Sequence, residues 1–217
     1  MKYSRARNNF SRFVPILLVA VITIVAIAAV IAIGRAILGG DQQPNNNQSA
    51  VSVDEGREAL LSTDISRSVR LTVRGPIVAN EKHRSYQITV SPDSRVMATY
   101  EGYLEKQLDS KELSNNSRAY EELVYALDKR KMMEGRELTE EQNDLRGICA
   151  SGKVYKMETL LNGDPVKTLW TSDCGGSKGS AVANVNEVLD MFIKQIPDGK
   201  KMAASVGLTQ KDTFFRL

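Results

Sequence analysis

The chain is poor in the residues from which most catalytic and metal sites are built. Among 217 residues it has one histidine, two cysteines and one tryptophan, and aromatics make up 6%. The single histidine, His83, leaves no set of histidine ligands for a metal, and any Ser-His-Asp or Cys-His hydrolase would depend on that one side chain. It stands in the polar run Asn80-Glu81-Lys82-His83-Arg84. This reads as a solvated loop histidine, with no G-x-S-x-G nucleophile elbow accompanying it. Net charge is also scarce. Basic side chains number 29 against 26 acidic, a surplus of +3, and most of it lies in Lys2, Arg5, Arg7 and Arg12. No concentrated basic face remains for nucleic acid.

Charge is missing altogether from Phe13 to Ile33, an apolar run with Thr23 as its one hydroxyl and Pro15 near its start. A helix of ~20 such residues spans the ~30 Å hydrocarbon core. It also satisfies its backbone internally, and proline is tolerated in its first turn. The basic cluster before the run places the N-terminus in the cytoplasm and the bulk of the chain outside it. A cleaved signal peptide would have a shorter apolar core, and Gly34-Arg35-Ala36-Ile37-Leu38 makes a poor cleavage site. No cysteine near the run could accept a lipid. The reading is therefore a cytoplasmic N-terminus at 1–12, a transmembrane anchor at 13–34, a flexible Gly/Asn/Gln-rich linker at 35–51, and an extracytoplasmic domain at 52–217. Ala26, Ala28, Ala29 and Ala32 include small residues four apart that allow close helix packing, so oligomeric state stays open.

Within 52–217 the periodicity alternates between strand and helix. Ser52 to Glu55 fits a capping box opening a short helix through about Ser62. Val69, Leu71 and Val73 alternate with polar residues, as do Tyr86, Ile88 and Val90. Ser91-Pro92-Asp93-Ser94 turns the chain into a return strand through Val96, Ala98 and Tyr100. A helix capped at Asn116 or Ser117 follows, with a Tyr120, Leu123, Val124, Leu127 stripe, and Gly135 ends it. A second block has a strand from Val154 to Leu160, an Asn162-Gly163 turn, and a return strand with Val166, Leu169 and Trp170. Its helix runs from about Asn184 to Ile196 and closes at Pro197-Asp198-Gly199. The fold class is α+β: two strand-strand-helix units forming an antiparallel sheet with helices on one face. Phe214 and Phe215 read as docking onto this domain.

Cys149 and Cys174 flank the second hairpin. About the Asn162-Gly163 turn they fall within about two residues of facing each other, so a bulge or irregular strand ends lets them bond. Other motifs read as scaffold. Gly175-Gly176-Ser177-Lys178-Gly179-Ser180 follows a strand and leads towards a helix without the phosphate-loop pattern, and reads as a flexible connector. Glu137, Glu140, Glu141, Asn143 and Asp144 are oxygen-rich without calcium-loop spacing. Asn47-Gln48-Ser49 and Asn115-Asn116-Ser117 are formal glycosylation sequons. Tyr100, Tyr103, Tyr155 and Trp170 belong to strands or strand ends, most as core packing rather than as a binding platform. No cofactor or metal is implied.

Five segments carry a resemblance: RGPIVANEKHRSYQITVSP, YEGYL, NNSRAYEELVYALDKRKM, RGICASGKVY and LWTSDC. Together, over about 68–197, they resemble membrane-anchored extracytoplasmic proteins of candidate-phylum bacteria of the Saccharibacteria type. The resemblance implies a bacterial cell-surface protein and supplies no catalytic residue. The strand-strand-helix repeat is similar in pattern to small protease-inhibitor domains of the emfourin type, of which the anchor and disulfide are not part.

Anchor, short linker and compact domain without a recognisable catalytic set point to a non-enzymatic module. It would bind a cell-envelope protein or wall component beside the membrane. The alternatives are an envelope-polymer hydrolase using paired carboxylates and an extracellular protease inhibitor.

Overall fold

A computed structural model describes residues 55–136, 138–177 and 179–209. The anchor, the linker, the Ser52 cap and the Phe214-Phe215 pair lie outside them, as do Glu137 and Lys178. Among the described residues no helix is long and apolar enough to cross a membrane.

The elements, in order, are α1 (Glu55–Leu61), β1 (Arg67–Arg74), a 3-10 turn (Asn80–Lys82), β2 (Arg84–Val90), β3 (Ser94–Glu101), β4 (Lys106–Ser114), α2 (Ser117–Lys129), β5 (Val154–Leu161), β6 (Asp164–Ser172), α3 (Val185–Lys194) and α4 (Gly199–Ser205). The strands form one antiparallel sheet in the order β4-β3-β2-β1-β5-β6. The first four make a meander. The chain then returns across the sheet, so that β5 pairs with the free edge of β1.

The core lies on one face. Val69, Leu71 and Val73 of β1 are 0% exposed. Their register partners are Val90, Ile88 and Tyr86 on β2, and Thr159, Met157 and Tyr155 on β5. These rows meet Tyr120, Leu123, Val124 and Leu127 of α2, and Val188, Leu189, Phe192 and Ile193 of α3. The period-2 and period-3.6 stripes therefore bury each other, as an α+β layer requires. Caps follow the sequence signals. The Asn116 side chain accepts the Ala119 N–H, and the Asn184 side chain that of Asn186. Arg57 grips Asp128 with two hydrogen bonds, at 2.7 and 2.9 Å, joining α1 to α2.

The expected two strand-strand-helix units need three corrections. The first unit has four strands, because Lys106–Ser114 forms β4. This edge strand shows no apolar alternation, since Lys106, Gln107, Asp109, Ser110 and Glu112 are all exposed. Such polarity protects a sheet edge from pairing with other chains, and it also hides the strand from a periodicity search. Second, α2 ends at Lys129, well before Gly135. Lys131 takes the left-handed conformation (φ 62°), while its N–H and that of Met132 bond back to Asp128 and Leu127. This is a helix-ending motif that usually selects glycine. Third, α3 does close before Pro197-Asp198-Gly199, but a further helix that the sequence pattern did not announce follows it. Gly199 opens α4, which buries Met202 and Ala203, with Val206 and Leu208 following. Lys111 of β4 pairs with Asp198 at its start.

Part of the expected connector at 175–180 is instead fixed. The Ser180 side chain accepts the Trp170 N–H at 3.0 Å, and the Trp170 carbonyl accepts the N–H groups of Ser180 and Ala181. Gly179 makes this approach with φ 67°, and a Cβ there would lie 2.1 Å from the Trp170 carbonyl oxygen. Gly179→Ala is therefore expected to cost about 2 kcal/mol or more of stability. Gly175→Ala, in open space, should stay within about 0.5 kcal/mol. Urea unfolding of both variants checks this, and equal stabilities would refute the packing role given to Gly179.

Candidate functional site

The sheet's second face carries the side chains of β1 that point away from the core. There Arg70 stands opposite Glu158, Thr72 opposite Lys156 and Arg74 opposite Val154. Its Val154 end is covered by the segment between α2 and β5, not by a helix. Leu138, Leu145 and Ile148 pack on Val154, Trp170 and Cys149. The bond between Cys149 and Cys174, with Cα atoms 5.3 Å apart, clamps this cap beside the sheet.

The expected pairing is present, although its geometry differs from simple extrapolation of the hairpin. A bulge leaves Val166 as an extra residue, so the register shifts between Thr159 and Leu160 and moves the cysteines further out of line. The bond closes because the chain leaves the ladder. Cys149 adopts φ 57°. Gly152 sits against both sulfurs, where a Cβ would lie 2.8 Å from the Cys149 Sγ.

Cap and sheet enclose a cavity of about 240 Å³. Arg74, His83, Tyr103 and Val154 line the sheet side, while Leu145, Arg146 and Ile148 line the cap side. His83 overturns its expectation as a solvated residue, being 1% exposed. Its ring stacks on Tyr103 with centroids 4.0 Å apart, and Nδ1 lies 3.0 Å from the Gly102 carbonyl oxygen. A carbonyl only accepts, so Nδ1 carries the proton in the neutral ring. The neighbouring 3-10 turn takes the solvated polar residues. His83 itself closes the β2–β3 end, where its carbonyl accepts the Gly102 N–H. The Tyr103 hydroxyl donates to the Val78 carbonyl at 2.9 Å. The Arg74 guanidinium carbon lies 5.7 Å from the Tyr103 ring centroid, within cation–π range. Among the described residues Arg74 makes no ion pair. Arg146, by contrast, is bound to Asp144, whose carboxyl its hydrogen bonds hold down to about 2. Ile77, Val78, Tyr103 and Leu104 are exposed at this end of the sheet.

A wider cleft of about 550 Å³ lies on the other side of Pro76, with Ser151, Lys153, Asp173, Cys174 and Leu208 around it. Lys153 donates to the Thr209 carbonyl at 2.6 Å, and the Tyr155 hydroxyl to Asp173 at 3.3 Å. Burial, then the Asp173 charge, pushes the Tyr155 phenol up, so it is a fixed donor.

Among the described residues Glu158 is the buried carboxylate, 1% exposed. Arg70 reaches one oxygen at 2.7 Å and Lys156 the other at 2.9 Å. Burial acts to raise its pKa, but hydrogen bonds from Arg70 and Lys156, with their charges, outweigh that and leave the carboxyl below the ordinary glutamate value. It is ionised and committed to two cations.

The other singled-out residues fall as follows. Tyr155 and Trp170 are buried, Tyr100 is half-buried and Tyr103 lines the cavity. Gly175 to Gly179 has the G-x-S-x-G spacing of a hydrolase elbow, which corrects the expectation that the chain offers none beside its histidine. The structural context is absent, since β6 runs into a turn and α3 begins only at Val185. The N–H groups of Ser177 and Ser180 are already bonded to carbonyls, which leaves them unavailable to an anion. No group of three acidic, histidine or cysteine side chains among the described residues is placed to hold a metal. Sequence reasoning missed the cavity's arginines, Arg74 and Arg146. The usable signals were Gly75-Pro76, which breaks β1 beside Arg74, and Gly147-Ile148-Cys149, which ties Arg146 to the disulfide. Comparison with known proteins found no matching family model and no matching curated sequence.

Two outcomes follow. Glu158 has a lowered folded pKa, so its stabilisation is present above the ordinary glutamate value and is lost as pH falls through the folded one. Glu158→Gln should cost roughly 1–3 kcal/mol at neutral pH, and the gap from the native chain should close in acid. Denaturant titrations across pH test this, and a gap that persists in acid would refute the assignment. Replacing Cys149 and Cys174 by Ser should remove about 3 kcal/mol and open 138–148 to proteolysis before the strands. Uniform cleavage kinetics would contradict the clamp.

Proposed function

We propose that the chain is a single-pass membrane protein whose C-terminal domain stands outside the cytoplasm as a non-enzymatic binding module of the cell envelope. The uncharged run Phe13 to Ile33 and the basic residues before it support the anchor and its orientation. The Cys149–Cys174 bond suits an oxidising compartment. The observation that carries the binding reading is the cavity under the clamped cap, whose apolar and cationic walls meet exposed Ile77, Val78, Tyr103 and Leu104. Apolar surface rimmed by polar groups marks interaction sites.

The carboxylate-hydrolase reading has less support. Glu158 is held by two cations, and among the described residues Asp173 is the one acidic residue lining either cleft. One observation favours the inhibitor reading: Leu104 is exposed with φ 75° in the β3–β4 turn, beside the pinned Tyr103. Backbone strain of that kind clusters at functional loops. A stoichiometric block of a purified protease by the full chain would move this reading ahead.

The deciding experiment is proximity crosslinking from the domain on intact cells, with residues 1–51 alone as control. Protease added outside should also remove 52–217 while an N-terminal tag stays protected. One envelope protein or wall fragment should be enriched over the control. No enrichment removes stable binding, and a protected domain reverses the orientation.

A further inference from the structure

We infer that the cavity between Arg74 and the clamped cap recognises a carboxylate carried on a small apolar body, as at the free C-terminus of a peptide ending in aliphatic residues. This rests on the binding-module reading and narrows it to a ligand class.

The charge argument is local. Two guanidinium groups line the cavity, and among the described residues no carboxylate does. Arg146 is neutralised by Asp144, which leaves Arg74 as the uncompensated charge. Arg74 is also held in place. Its guanidinium lies over Tyr103, and Tyr103 is fixed by its stack on His83 and its hydrogen bond to Val78. A guanidinium with fixed orientation matches a carboxylate with two parallel hydrogen bonds.

Two buried hydroxyls stand behind Arg74 on the sheet, outside the cavity lining. Ser85 pairs with Arg74 across the ladder and Thr72 precedes it on the same face. Both hydroxyls are buried without a partner among the described residues. The Gly147 N–H, in the cavity wall, likewise makes no hydrogen bond among the described residues.

The rest of the lining sets the body that bears the anion. Ile77, Leu145, Ile148 and Val154 are aliphatic. The volume, about 240 Å³, is below the ~300–1,000 Å³ of sites for drug-sized molecules. It suits one or two residues. A phosphate would bring a second charge into a site with one uncompensated cation.

The test uses the full-length chain in detergent with its disulfide intact. The probes are acetyl-Ala-Leu-Leu with a free carboxylate, the same peptide as its C-terminal amide, and inorganic phosphate, followed by titration calorimetry. The acid should bind and the amide should bind at least about tenfold more weakly, the effect of losing a charge-assisted hydrogen bond. Arg74→Gln should weaken the acid by a similar factor without changing the amide, and Arg74→Lys should fall between. Phosphate should not displace the acid. Unfolding midpoints confirm that both variants fold, and Arg74→Lys keeps the test decisive where Arg74→Gln does not. Equal binding of acid and amide, no binding of either, or no effect of Arg74 overturns the inference, and so does displacement by phosphate. Envelope crosslinking that succeeds and is unchanged by Arg74→Gln would leave the module reading standing and remove this one. Arg74-dependent peptide binding without crosslinking would do the reverse.

Discussion

The domain depends on β1 being paired on both edges. Val69, Leu71 and Val73 lie between the rows of β2 and β5, and each has an apolar or small partner on both sides. That pairing joins a meander built from neighbouring residues to a hairpin far along the chain. It therefore carries a loop-closure cost which local contacts do not. The cost is offset by the core that forms only when β5 arrives, because α2 and α3 need the full width of the sheet to bury their stripes. The same pairing builds the second face: it sets Arg70 against Glu158 and Arg74 against Val154, without which there is neither ion network nor cavity floor.

Much of the fold was legible because burial writes a period into the sequence. Val69 to Val73, Tyr86 to Val90 and the two helical stripes are each read from one face alone. What escaped notice was set by other forces. β4 is an edge strand kept polar against association, so its pattern records what it avoids rather than what it packs on. The end of α2 uses Lys131 in a conformation that favours glycine, because the buried Met132 and Met133 hold the chain there. α4 is short and follows a proline, and its stability comes from Met202, Ala203 and the contacts around them rather than from a long stripe.

The site was less legible than the fold, for a physical reason. Arg74, His83, Tyr103 and Ile148 come from four separate segments, and each taken alone reads as solvated, aromatic or aliphatic filler. Their function follows from assembly. His83 is the clearest case: its polar neighbours imply exposure, yet the tight β2–β3 closure buries it against Tyr103. The cysteines were the exception, since a covalent link needs only two residues and a turn between them. Their bond does more than staple a hairpin, because it holds Leu145 and Ile148 over a sheet face that no helix among the described residues covers.

The strand order also has a consequence in time. Arg74 waits for Val154, and Arg67 for Leu161. At ordinary synthesis rates the interval is roughly 5 to 20 s. During it, a chain emerging N-terminus first can complete the β1-to-β4 meander, but presents the inner edge of β1 with its aliphatic row unpaired. Such an edge is a template for foreign strands. On the proposed orientation, that interval would fall on the far side of the membrane, away from the cytoplasmic folding helpers. The half-built sheet is thus the state in which this protein is most vulnerable, and the late hairpin bearing Cys174 is the segment that ends the exposure.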